Sequence, residues 1–300
     1  MADSVAMLDG APQIAAAAPG RSTRWDVARR LWRHRSFRFG LGLFAIVIAA
    51  AAFAPWISPI EPNKLAMRAR FLPPSWDHLF GTDNFGRSQL ARVVYGAQLS
   101  LMIGTAVVVI NAVFGALIGA LAGYFRQLDN MVMRVNDAVM AFPAVLLAIG
   151  VAAVLGRSTP NMILALSVVY IPRTARIVRS SVIVVRQMEY VQAAVAAGAG
   201  HWRILRRHIL PNSMAPLMVQ LSFLFAYAVL TEATLSFLGL GAEPPTPTWG
   251  NIMAEGRQYM REAPWIIAIP GAALAITVMA LNLLGDGLRD VLDPRLRVQQ

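Results

Sequence analysis

Residues Val93 to Phe125 read VVYGAQLSLMIGTAVVVINAVFGALIGALAGYF, without one charged side chain. A helix needs about 20 mostly apolar residues to cross a bilayer, and the apolar core of this stretch, Leu99 to Gly123, exceeds that. Working outward, five more windows of this kind appear: Phe39 to Ile57, Ala138 to Gly156, Ser158 to Pro172, Asn212 to Thr231 and Ala263 to Gly285. The fourth of the six, Ser158 to Pro172, is short and stops at Arg173, with a continuation toward Ile177 open. The expectation is an all-α polytopic membrane protein with about six transmembrane helices.

Composition agrees. Of 300 residues, 57% are hydrophobic and 14% charged, against roughly 45–50% and 25% in soluble domains. The net charge of +11 comes from 27 basic and 16 acidic residues. With six spans and the N-terminus inside, 19 of the 27 basic residues fall on inner segments, the excess that the positive-inside rule requires. Both termini are then cytoplasmic. Arg21, Arg24, Arg29, Arg30, Arg33, Arg35 and Arg38 form the main anchor before the first span. Residues 1–28 read as a disordered cytoplasmic tail: the first of them are rich in Ala, Pro and Gly, and Ala15 to Ala18 is too short for a signal core. Residues 29–97 hold the first span and an external loop, 98–290 the core with a cytoplasmic loop at 186–212, and 291–300 a cytoplasmic tail.

Several chemistries are excluded. Cysteine is absent, which removes disulfides, cysteine metal sites and thiol nucleophiles. The only lysine, Lys64, follows Asn63, so no Walker A loop exists. His34, His78, His201 and His208 make no i, i+4 zinc pair with an adjacent Glu, and there is no Gly-x-Ser-x-Gly elbow. The chain reads as no enzyme, with no metal and no cofactor of its own. No window has an ionisable residue near its middle; Glu232 and Asp286 read as boundary residues. Ion coupling therefore lacks titrating groups in the bilayer, and a stand-alone secondary transporter is the weaker alternative.

Three features stand out within this frame. Gly115, Gly119 and Gly123 recur every fourth residue, which lets helix backbones approach closely, either inside one bundle or against a partner in the membrane. Pro143, Pro172, Pro216 and Pro270 permit bends in or near spans. The loop Arg186 to Asn212 is long for a bundle connection: Gln187 to Ala197 favours a helix, Gly198 and Gly200 suit its end, and His201 to Ile209 forms a second short helix ended by Pro211. Arg203, Arg206 and Arg207 share one side of that second helix, Ile204 and Leu205 another. Tied at both ends to spans, the loop suits a protein dock better than a nucleic-acid reader or a helix pair resting on headgroups. Beyond the fifth span, Thr231 to Glu262 packs a short helix at the interface before its prolines force an extended exit.

Ala193, Ala194, Gly198, Leu210 and Pro211 are spaced as in the Glu-Ala-Ala loop of ABC-importer permeases, with Gln192 where the family has Glu. Three other stretches extend the likeness: Gly81-Thr-Asp-Asn-Phe-Gly-Arg87; Leu235-Ser-Phe-Leu-Gly-Leu-Gly241 with Pro244-Pro-Thr-Pro and Trp249-Gly-Asn251; and Asn282-Leu-Leu-Gly-Asp-Gly-Leu-Arg-Asp290 followed by Leu292-Asp-Pro-Arg-Leu296. From about Arg29 to Arg297 the chain resembles the second permease subunit of the dipeptide/oligopeptide/nickel importers. The resemblance implies a type I ABC-importer permease fold in the bacterial inner membrane, and a translocation path shared with a homologous permease. It implies two cytoplasmic ATP-binding subunits that hold ATP and Mg, and an extracytoplasmic substrate-binding protein. Spans two to six would line the pore, with the first span peripheral. Di- or oligopeptides are the implied substrate, with nickel chelates or another small solute as alternatives. Glu189, Gln192, Ala193, Ala194, Gly198, Arg203, Leu210 and Pro211 would then couple the ATPases to the helices.

Overall fold

The computed structural model describes residues 24–292. Among these, all regular structure is helical apart from an isolated bridge between Thr82 and Ser88. The chain runs through α1 (Arg24–Arg33), α2 (Arg35–Ala52), α3 (Gln89–Tyr124), α4 (Arg126–Met140), α5 (Ala144–Leu155), α6 (Thr159–Arg186), α7 (Glu189–Ala196), α8 (His201–Phe237), α9 (Trp249–Gly256) and α10 (Trp265–Leu292). α2, α3, α6, α8 and α10, of 18, 36, 28, 37 and 28 residues, are each long and apolar enough to cross a membrane.

The third window does not form a straight span. It breaks after Met140 and turns by 90° between α4 and α5. Pro143 has no backbone N–H, so a continuous ladder fails there. α5 alone, 12 residues, rises about 18 Å, too little for a ~30 Å hydrocarbon core. α4 supplies the remainder. Asp129 pairs with Arg179 and Asp137 with Arg176, while Asn161 Nδ2 donates to the Leu155 carbonyl at 2.6 Å. α4 and α5 therefore both pack against α6, and the bent pair supplies the length of a sixth crossing if it is one span.

Other boundaries move for identifiable reasons. α6 does not stop at Pro172 or Ile177 but continues to Arg186, which places Arg173 and Arg176 inside the helix. Pro211 does not end the second loop helix. A π turn at Leu205–Ile209 shifts the hydrogen-bond register, and Pro211 falls in the first turn after it, where its missing N–H is not needed; α8 then runs on to Phe237. Glu232 consequently lies within α8, near its end and fully buried, its Oε1 accepting from Ser236 Oγ at 2.8 Å. Asp286 likewise lies on α10, on an exposed face. α3 begins at Gln89, so a division at residue 97 would cut a helix whose start is capped by Ser88 accepting from the Ala91 N–H. Residues 24–28 belong to α1 and 291–292 to α10; the rest of the two expected tails lies outside the described residues. The short helix of the external segment, α9, follows the prolines instead of preceding them.

Glycine sets the closest helix contacts. A Cβ on Gly119 would sit 2.4 Å from the Ala175 carbonyl oxygen, on Gly115 2.7 Å from the Thr174 side chain, and on Gly123 2.9 Å from the Arg179 carbonyl oxygen. The glycine stripe of α3 is thus consumed by α6 within the chain, not left for a second permease. Gly40 and Gly287 bring α2 against α10 in the same way. Three apolar layers stack along the bundle. One centres on Trp249, Ile252 and Ile266, the next on Ile103, Leu166 and Leu224, the third on Val182, Val191, Leu205 and Ile209. The third layer roots α7 in the bundle.

Candidate functional site

The Glu189 to Ile209 segment closes one end of the bundle. Glu189 stands in the first turn of α7, where its charge suits the helix dipole. The helix ends in a Schellman motif: Gly198 N–H donates to the Val195 carbonyl at 2.9 Å, and Ala199 N–H to the Ala194 carbonyl at 3.0 Å. Gly198 takes φ +76°, a left-handed conformation that side chains resist. Nothing lies within 4 Å of the position a Cβ would take there, so the requirement is conformational, not spatial.

One fully buried side chain on α7, Val191, packs into the third layer. Most of the remaining side chains of the segment face outward. Glu189, Gln192, Ala193, Gly198, Arg203 and Pro211 are exposed, and Ala194 and Leu210 half-buried. Met188, Tyr190, Val195 and Trp202 add apolar surface, Trp202 at 64% exposure. Arg203, Arg206 and Arg207 point away from the bundle while Ile204, Leu205 and Ile209 point in. Leu210 and Pro211 belong to α8, as does the His201–Ile209 part of the segment, so only the turn 197–200 separates α7 from the longest helix among the described residues. Gly115, Gly119 and Gly123 are remote from this surface and act where α3 meets α6.

Beside α7 lies a cleft of about 380 Å³, bounded by Tyr124, Arg126, Arg186, Gln192 and His201 among others. Tyr124 Oη and His201 Nδ1 are 2.8 Å apart, which links the end of α3 to the start of α8. Gln192 Nε2 donates to the Arg186 carbonyl at 2.9 Å. Gln192, in the position where the resembling family has Glu, therefore ties α7 back to the end of α6 through a neutral hydrogen bond.

At the other end, the Gly81 to Arg87 motif builds an ionic cluster that the sequence reading missed. Asp83 accepts from the backbone N–H groups of Phe85 and Arg87 at 2.8 and 2.9 Å. Its carboxylate also pairs with Arg87 at 2.5 Å and Arg92 at 3.0 Å. Glu255 of α9 pairs with both arginines, with Arg92 at 2.7 Å. Burial alone would raise the Glu255 pKa, but the Arg92 hydrogen bond and charge, joined by Arg87, outweigh it and hold the carboxyl below its ordinary 4.5. Trp249 Nε1 donates to the Val93 carbonyl at 3.1 Å, and Trp265 Nε1 to the Thr82 carbonyl at 3.0 Å. α9, the 81–88 loop and the start of α3 form one fixed body. The motif itself was the available signal; its partner Glu255 lies 168 residues from Arg87.

Among the described residues no group of three or more acidic or histidine side chains is placed to hold a metal ion.

Residues 112–298 match the family model for the binding-protein-dependent transport system inner membrane component. Residues 22–74 match that for the N-terminal transmembrane domain of oligopeptide transport permease C. A putative peptide transport system permease protein of Brucella abortus is 57% identical over 280 residues, 93% of this chain and 95% of the relative. The dipeptide transport system permease protein DppC of Alkalihalophilus pseudofirmus is 40% identical over 286 residues, 95% of this chain and 93% of the relative. The inward-facing MetNI methionine ABC transporter has a similar fold, with a TM-score of 0.55 at 20% identity, over 66% of this chain and 95% of that one. The chain belongs to the binding-protein-dependent transport system inner membrane components, and is a permease subunit of the inner membrane.

Proposed function

We propose that this permease imports di- and oligopeptides, driven by two cytoplasmic ATPase subunits, one of which seats on Glu189 to Ile209. A homologous permease completes the path, and an extracytoplasmic binding protein delivers the substrate at the Asp83–Glu255 end. Nucleotide and magnesium are held by the ATPases; this chain supplies no cofactor site. The observation that carries the reading is the build of α7. A stiff, capped helix with one buried anchor, Val191, presents small and apolar side chains outward, and only the short turn 197–200 separates it from a 37-residue helix whose Leu205 and Ile209 share the apolar layer of that anchor. A partner that moves α7 moves α8 with it, which is the differential contact a two-state transporter requires. The excess of arginine on segments 21–38 and 186–207 supports a cytoplasmic position for α7 and for both termini. The substrate class follows the relatives, which are named for peptide and dipeptide transport.

The test is reconstitution into proteoliposomes of this chain with the second permease, the ATPases and the binding protein. Uptake of alanyl-alanine is expected only with ATP and the binding protein present. Uptake by this chain alone, or uptake driven by an ion gradient, would contradict the reading.

A further inference from the structure

We infer that Arg173 forms a subsite for substrate carboxylates partway along the translocation path, an inference that rests on the peptide-import reading and adds a contact point to it. Because α6 continues through Pro172, Arg173 lies about 21 Å from its Thr159 end and about 20 Å from Arg186, at a rise of ~1.5 Å per residue. A cation at such depth is costly against lipid and points by default to a pathway or a partner.

Arg173 differs from the other arginines of this region. Arg176 is paired with Asp137 and Arg179 with Asp129. Among the described residues Arg173 has no carboxylate within ion-pair distance. Its guanidinium instead lies 5.5 Å from the centroid of the Tyr227 ring on α8, a contact that holds the cation without neutralising it. It is exposed, on the wall of a cleft of about 180 Å³ at the α4–α5 bend, with Met140, Phe142 and Tyr170 beside it. Tyr170 Oη is fixed by Thr231 Oγ1 at 2.7 Å. The bend at Pro143 opens the bundle at this level, and three helix units, α4–α5, α6 and α8, meet there. Phe142 and Tyr227 are also exposed, so the surface is aromatic around one charge.

That chemistry fits a peptide. The guanidinium fork matches a carboxylate in two parallel hydrogen bonds, and the aromatic surround tolerates varied side chains. A single cation open on one side holds an anion weakly enough to release it, as a path requires.

The test uses the complete reconstituted complex and two probes: alanyl-glutamate, with two carboxylates, and alanyl-lysine, whose carboxylate is balanced by an extra cation. Uptake by each variant is divided by wild-type uptake of the same peptide with the same binding protein, which cancels delivery. For Arg173→Glu, the ratio for alanyl-glutamate is expected to fall at least ~fivefold below that for alanyl-lysine, a factor within reach of one charged contact. Arg173→Gln is expected to shift it in the same direction and Arg173→Lys to restore most of it; these two carry the test if Arg173→Glu fails to insert. Equal losses for both peptides would overturn the inference and assign Arg173 to helix packing or to a carboxylate on the second permease. Absence of ATP-dependent uptake by the wild-type complex would remove the import reading itself, and the subsite with it.

Discussion

At the level of single residues, two glycines with opposite surroundings separate packing from conformation. Gly119 has the Ala175 carbonyl oxygen where its Cβ would go. Gly119→Ala therefore forces α3 and α6 apart, and is expected to destabilise the purified permease by about 1–3 kcal/mol, read as a lower thermal midpoint in detergent. Gly150 has nothing within 4 Å. Gly150→Ala is expected to leave the midpoint unchanged or raise it, since alanine favours a helix by up to ~1 kcal/mol over glycine. Gly198 is a third case: open space, but φ +76°. Gly198→Val is expected to insert normally and to lose peptide uptake, because the strained turn re-aims α7, at a cost of about 1–2 kcal/mol in the left-handed region. Full uptake by that variant would argue that α7 carries no coupling.

Elements show where sequence reading reaches and where it stops. The long apolar spans were legible because a bilayer demands uninterrupted apolar length, and composition reports that directly. The loop helices were legible because alanine runs and glycine stops are local signals. The course of α6 was not: a charge-free window ends at Arg173, whereas the helix goes on, since Asp129 and Asp137 of α4 meet Arg179 and Arg176 from outside the window. Pro211 misled in the same way, because the π turn that absorbs it leaves no mark in the sequence. The Asp83–Arg87–Arg92–Glu255 cluster was hidden by separation along the chain. It carries its own prediction. Removing one charge from a buried pair strands its partner, so Glu255→Gln is expected to lower stability by about 3 kcal/mol, read by thermal unfolding. Glu255 sits below its ordinary 4.5 in the folded protein. Its contribution is therefore complete above that pH and is lost as pH falls below it toward the folded value. The wild type should lose stability across that window more steeply than Glu255→Gln; identical profiles would remove Glu255 from the account.

In the whole molecule, the ionic body at one end and α7 at the other are joined by α3, α6 and α8, with Arg173 and the Pro143 bend between them. The central claim is that energy enters at the α7 end from proteins outside this chain. Because the chain has no cysteine, a single probe can be placed without background. Ala193→Cys, exposed on α7, is the most direct position. In inner-membrane vesicles containing the complete complex, the account predicts that a short bifunctional reagent links the introduced thiol to an ATPase subunit, that the yield changes when ATP is added, and that linkage stops peptide uptake. Labelling of that thiol by an impermeant reagent applied from the extracytoplasmic side, or linkage that leaves uptake intact, would contradict it.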